Sequence, residues 1–263
     1  MQKQHSGRAP RTFTAVASLL SLVMLMFGGQ LLVSGWFSSM DGGIHRFHEI
    51  AWGVIEGIIL FAALAVQIRH GHRKVGHIQQ VLAGTIALIA VMVMGRSFDP
   101  FTGVFILLVG VLLFLHPARS DVFRTARPVD GKLTALSLVA AVPLWAYAFN
   151  EISRHLSAPA GDPHADLAHY AGTAAAAIAI PLVGLVASFR TPGSRLSLWC
   201  AGLGAVTLGA AGVIFPDQSS SVGIVWGAAA VAWGIIFSVV GKSAEPRVMA
   251  SSSTQASIAL EIE

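Results

Sequence analysis

The sequence predicts an all-α integral membrane protein: eight transmembrane helices in two parallel four-helix repeats, with both termini cytoplasmic. Three observations carry this. Of 263 residues, 54% are hydrophobic and 11% charged, whereas a soluble domain has about 25% charged residues. The apolar residues gather into runs near the ~20 residues needed to cross the hydrocarbon core. The Lys and Arg residues fall in alternate connections, which is the pattern of cytoplasmic loops.

The runs lie at 13–37, 47–68, 78–95, 101–116, 133–150, 167–189, 196–214 and 222–240, the fourth being shortest. The first follows Lys3, Arg8 and Arg11. It is too long for a signal-peptide core and ends without a small-x-small cleavage site, so it reads as a retained helix. With the N-terminus inside, the cytoplasmic segments hold Lys3, Arg8, Arg11, Arg69, Arg73, Lys74, Arg119, Arg124, Arg127, Lys132, Arg190, Arg195, Lys242 and Arg247. The outer segments hold only Arg46, Arg96 and Arg154. Losing one span would invert every later loop, so the asymmetry also argues for eight. The expected location is the cell membrane, as a multi-pass protein. The bilayer and other membrane subunits are the expected partners. The net charge of +4 is taken up by topology, and no nucleic-acid partner is expected.

The chain reads as duplicated. Thr14-Ala15-Val16 opens the first span and Thr134-Ala135-Leu136 the fifth; His45 and Gly53 stand as far apart as His164 and Gly172; Phe98-Asp99-Pro100 ends the third span and Phe215-Pro216-Asp217 the seventh. Shared offset and shared loop sidedness indicate a four-plus-four repeat. Each unit has an even number of spans, so the repeat is parallel, about an axis along the membrane normal. The organisation is then a cytoplasmic N-terminus (1–12), a first repeat (13–116), a basic cytoplasmic linker (117–132), a second repeat (133–241) and a Ser-rich tail (242–263) expected to be disordered. The basic loop Arg69-His70-Gly71-His72-Arg73-Lys74 is a cytoplasmic anchor for acidic headgroups, and His5, His77 and His116 read as interfacial.

Folding the repeat onto the topology brings most acidic and histidine residues to the outer surface. Two related clusters are expected there, Gln30, His45, His48, Glu49 and Asp99 in one half, and Asn150, His164, Asp166, His169 and Asp217 in the other. Imidazoles with carboxylates suit Zn, Cu, Fe or Ni, so His45, His48, Glu49, Asp99, His164, Asp166, His169 and Asp217 are candidate metal or haem ligands. The plain alternative is a hydrated polar fringe. His48-Glu49-x-x-Trp52 begins like a zincin motif, but Trp52 replaces the second histidine. The eight-span layout resembles haem A synthase, a family with histidine ligands in both halves. That resemblance implies paired ligands on the second and fourth helices of each half. Here the fourth run has only His116, at its cytoplasmic end, and the eighth has none. His48 and His169 lie at comparable depth in opposite halves, which leaves a shared site at the repeat interface open.

Glu56 is deeper, about two turns inside the second span, with no Lys or Arg inside any span to neutralise it. Gly53 and Gly57 flank it as a small-xxx-small pair that admits a close helix. Two roles stand open: a proton relay or cation ligand, or a hydrogen-bond donor between packed helices. The second half has Ala175 at the matching position. Pro143, Pro181 and the glycines Gly202, Gly204, Gly209 and Gly212 suit either kinks and close packing or the broken helices of transporters. Trp36, Trp52 and Trp145 fit an outer aromatic belt. Cys200, the one cysteine, reads as a buried, inert thiol.

Three functions follow. The first is a non-catalytic or accessory membrane protein with an outward-facing His/carboxylate site for a transition metal or haem. The second is a small transporter or proton-coupled permease using Glu56. The third is a membrane oxidoreductase. The absence of a Gly-x-Ser-x-Gly elbow, a phosphate loop, a CxxC pair and any intramembrane Lys removes several other enzyme classes and a retinal pigment.

Overall fold

The computed structural model describes residues 11–37, 43–69, 74–123 and 129–243. The N-terminal ten residues, residues 38–42, the middle of the basic 69–74 loop, residues 124–128 of the linker and the tail beyond 243 lie outside the described residues. Among the described residues the protein is helical throughout. Seven helices are long and apolar enough to cross a membrane: α1 (Arg11–Phe37), α2 (Arg46–Arg69), α3 (Val75–Gly95), α5 (Gly131–Ser157), α6 (His169–Ser188), α7 (Ser194–Ile214) and α8 (Gly223–Ser243). The fourth run forms a shorter apolar helix, α4 (Pro100–Leu115). Its 16 residues span about 24 Å at 1.5 Å per residue, less than the ~30 Å hydrocarbon core.

Helices α2, α3, α6 and α7 bury most of their apolar windows and form the centre. Helices α1, α5 and α8 expose most of theirs at the periphery, as expected where lipid replaces water. The sequence separates the two kinds. The run Ala174-Ala175-Ala176-Ala177 of α6 is wholly buried, and so small a helix can sit only where neighbours close in.

Glycine sets the closest approaches. A Cβ on Gly53 would fall 2.6 Å from the Leu32 Cβ, and one on Gly57 would fall 3.0 Å from the Gly28 carbonyl oxygen. The expected small-xxx-small pair is therefore the α1–α2 contact. On the other side, Gly202 and Gly209 of α7 face the carbonyls of Gly234 and Gly227, while Gly227 and Gly234 face those of Gly209 and Gly202. The seven-residue spacing on both helices keeps one seam in register over two turns.

Pro143 and Pro181 lie inside helices that run on without a break. The irregular backbone is in the first half instead. Leu25–Gly29 of α1 and Val54–Leu60 of α2 are π-helical turns, a distortion that recurs at functional positions. Within the second, the Ile59 carbonyl accepts a hydrogen bond from Gln80 Nε2 at 2.8 Å, so a neighbouring helix satisfies a backbone group that the bulge loosens.

Caps fix the helix starts. Asp99 accepts from the Phe101 and Thr102 amides with Pro100 at the first position. Asp130 accepts from those of Lys132 and Leu133, and Arg190 donates to it at 2.5 Å, which ties the start of α5 to the α6–α7 connection. Partial burial opposes the charge on Asp130, but the hydrogen bonds from Arg190 and the two amides outweigh it and hold the carboxyl below its usual range. Two positions differ from the interfacial reading. His77 and His116 are both buried, His116 edge-on against Phe13 with centroids 5.4 Å apart.

Candidate functional site

The N-terminal ends of α2 and α6 meet, and each brings a pair of histidines. His45 precedes the first turn of α2 and His48 lies within it. His164 sits in the single turn Pro163–Asp166, begun by the Asp162 cap, and His169 opens α6. Ala168, between them, is left-handed with φ +56°, and this reversal turns the short segment back over the helix. Slight desolvation opposes the charge of Asp162, but the His164 and Ala165 amides outweigh it and hold this carboxyl low.

The histidines of the two expected clusters are thereby brought into one group. Ring centroids stand 4.8 Å apart for His45–His164, 4.4 Å for His45–His169, 5.1 Å for His48–His164, 5.2 Å for His48–His169 and 6.0 Å for His164–His169. His45 and His48 are buried, while His164 and His169 are half-buried and form the outer side of the group.

Hydrogen bonding orients the rings. Thr173 donates its hydroxyl proton to the His169 carbonyl oxygen at 3.0 Å, so its oxygen is left to accept from His48 Nδ1, 2.9 Å away. His48 then carries its proton on Nδ1, and Nε2 presents a lone pair that meets no donor. His164 Nδ1 lies 3.5 Å from Asp162 Oδ1, and its Nε2 is likewise buried without a hydrogen-bond partner, as is Nδ1 of His169. One nitrogen held by an oxygen and the other left bare is how metal-ligating histidines are prepared.

Four imidazoles around one tetrahedral ion, with metal–nitrogen bonds of about 2.0–2.1 Å, place their ring centroids about 5 Å apart. The observed separations bracket that value. The rings are packed face and edge on one another. Among the described residues, no group of three or more His, Cys, Asp or Glu side chains is arranged to hold a metal ion; ligation by these rings would require them to turn.

The other expected ligands are elsewhere. Glu49 is buried and accepts from Ser34 Oγ at 3.1 Å, bridging α2 to α1. Asp99 is spent on its cap, where burial opposes its charge and the Thr102 and Phe101 bonds prevail, holding it low. Asp166 and Asp217 are exposed. Trp52 turns inward: a Cβ on Gly172 would fall 2.0 Å from its indole, so only glycine lets that ring lie beneath the histidines.

A second polar group adjoins the first. Arg154 donates to Glu151 Oε1 at 3.0 Å, to Ser220 Oγ at 3.0 Å and to Ser219 Oγ at 3.1 Å. Ser220 donates to Glu151 Oε2. The Arg154 guanidinium covers the Tyr170 ring at 4.7 Å, and Tyr170 packs against His164 at 5.6 Å and His48 at 5.7 Å. Glu151 and Arg154 belong to the last turns of α5, which runs seven residues beyond the expected end at 150. Thr173 and Tyr170 went unnoticed in the sequence. The signal was there for Thr173, the one hydroxyl in the small-residue run Ala171–Ala177, four residues after His169.

Glu56 lies deeper, on the π-helical turn of α2. It is buried, its Oε2 has no hydrogen-bond partner, and a Cβ on Gly28 would fall 2.4 Å from its own Cβ. The two π-helical turns therefore face each other at this carboxyl.

The fold and site define a helical membrane protein with a buried histidine cluster. No protein-family model, curated protein or solved structure matches the chain.

Proposed function

We propose that this protein is a multi-pass membrane protein that holds one transition-metal ion at the outer end of the bundle, ligated by His45, His48, His164 and His169, in a non-catalytic or accessory role. The observation that carries the reading is His48. Its ring is fully buried, its Nδ1 is hydrogen-bonded to Thr173 Oγ1, its Nε2 has no hydrogen-bond partner, and it packs with the rings of His164 and His169. Burying a polar atom without a partner costs about 1–3 kcal/mol, and a metal ion is the ligand that removes that cost for several imidazoles at once. Four neutral nitrogen donors suit Zn, Cu, Ni or Co rather than Mg or Ca. The close ring packing favours an ion over haem, whose two axial imidazoles stand on opposite sides of a wide planar ring.

The finer topology belongs to the same proposal. We read α4 as an eighth span in a locally thinned bilayer, with two four-helix repeats and cytoplasmic termini. Fourteen of 17 basic residues then face the cytoplasm. The histidine pairs come from the equivalent helices α2 and α6, so the ion would sit between the repeats.

A second reading, a small permease, is favoured by Glu56. A carboxyl with a bare oxygen, between two π-helical turns and about two helical turns beneath His48, could take a proton or cation onward. Equilibrium dialysis of the purified protein against Zn2+ separates the readings. The metal proposal expects one ion per chain, bound more weakly in His48→Ala and His169→Ala and unchanged in Glu56→Gln. Retention by both histidine variants at the wild-type level would sink it.

A further inference from the structure

Beyond the histidine site, a cavity of about 1150 Å³ opens between α5, α7 and α8, where α5 and α8 touch little. Its size lies just above the usual range of ligand sites, roughly 300–1,000 Å³. One end is polar, with Asn150, Glu151, Arg154 and Ser220. The rest is walled by apolar side chains including Val142, Pro143, Leu208, Trp226, Ala229 and Trp233. Glu151 is fully buried at the polar end, so this end is a built feature rather than a chance fringe.

The chemistry of the polar end selects the head group. Arg154 is already paired with Glu151 and shared with Ser219 and Ser220. An anionic head would bring a second negative charge against Glu151, with no further cation lining the cavity. A neutral head with acceptor oxygens meets no such penalty. The amide of Asn150 and the remaining N–H groups of Arg154 can donate to it. The indoles of Trp226 and Trp233 supply flat apolar surface for the body of the molecule. We propose that this cavity binds a neutral amphipath, a carbonyl-bearing head at Asn150 and Arg154 with an apolar chain along Pro143, Trp226 and Trp233. An isoprenoid-type quinone and a neutral glyceride share that chemistry. The head would lie one residue from the metal site, because Arg154 covers Tyr170 and Tyr170 packs on His48 and His164.

Tryptophan fluorescence of the full chain in detergent tests this with three probes: a decyl benzoquinone, a brominated diacylglycerol and a brominated phosphatidylglycerol. At least one neutral probe should quench saturably, and the one that does identifies the source. Ala229→Phe and Ala146→Phe, which fill the cavity without adding a tryptophan, should each raise the half-saturating concentration at least tenfold. Asn150→Leu should raise it severalfold. Linear quenching by all probes, identical in the variants, means annular lipid only and overturns the proposal. Displacement of the neutral probe by the anionic lipid also overturns it. If circular dichroism shows both Phe variants misfolded, an unchanged half-saturation in Asn150→Leu is sufficient refutation.

Discussion

Thr173 takes the hydrogen bond of His48 Nδ1 and leaves its Nε2 without a partner, because the hydroxyl's own proton is committed to the His169 carbonyl oxygen. Supporting bonds of this kind are worth about 10–100-fold in metal affinity. Thr173→Val, which keeps the shape and removes the acceptor, should therefore weaken Zn2+ binding by that factor, and Thr173→Ser should restore it. Equal affinity in all three proteins would mean that the tautomer is set by something else. Gly172 is the other decisive residue. A methyl there meets the Trp52 indole at 2.0 Å, and Gly172→Ala should push Trp52 away, costing about 1–3 kcal/mol, read as a lowered thermal midpoint with altered tryptophan emission. Part of this was legible beforehand. The spacing of His45 and His48 and the depth shared by His48 and His169 follow from helical periodicity. The union of four rings does not, because periodicity gives the face a residue occupies and not which distant helix that face meets. For the same reason Glu49, Asp99, Asp166 and Asp217 looked equivalent to ligands, whereas a bridge to Ser34, a helix cap and two exposed positions account for them.

At the scale of helices, the bundle rests on backbone approaching backbone. Leucine at Gly209 or Gly234 would place a branched side chain where a single added carbon already stands 2.5 Å from a carbonyl oxygen. Either change should separate α7 from α8 and lower the thermal midpoint, whereas Gly110→Leu, with nothing near it, should not. The start of α5 is held electrostatically. Asp130 has its carboxyl held below its usual range, so its stabilising contribution is present above the unfolded value near 3.9 and is lost as pH falls through the lower folded value. Asp130→Asn keeps a capping side chain but removes the charge facing Arg190, and should cost up to about 1 kcal/mol at neutral pH; acid titration of thermal midpoints should show the wild-type advantage disappearing only below about pH 4. An advantage unchanged at pH 2.5 would contradict this. The prolines of spans five and six looked like the breaks in the sequence, yet the bulges fall at Leu25–Gly29 and Val54–Leu60. Those bulges meet where α1 and α2 approach at Gly28 and Gly57, a tertiary contact that local residue preference does not carry.

For the whole molecule, α4 governs the topology. In a Cys200→Ala background, cysteines at Phe98 and Ser120 should be labelled from opposite sides of sealed vesicles if α4 crosses, and from the same side if it does not. Eight spans keep both termini together, while seven would separate them and reverse the charge asymmetry in the second half. The histidine cluster lies at the meeting of the N-terminal ends of α2 and α6, so the labelling of Phe98 also reports which side it faces. The most direct test of a metal ion shared between the two halves is X-ray absorption on the Zn-loaded protein. Four nitrogen scatterers at about 2.0–2.1 Å with imidazole outer shells are expected, falling to fewer imidazoles in His48→Ala and in His169→Ala. An all-oxygen shell, or an unchanged spectrum in both variants, would contradict it.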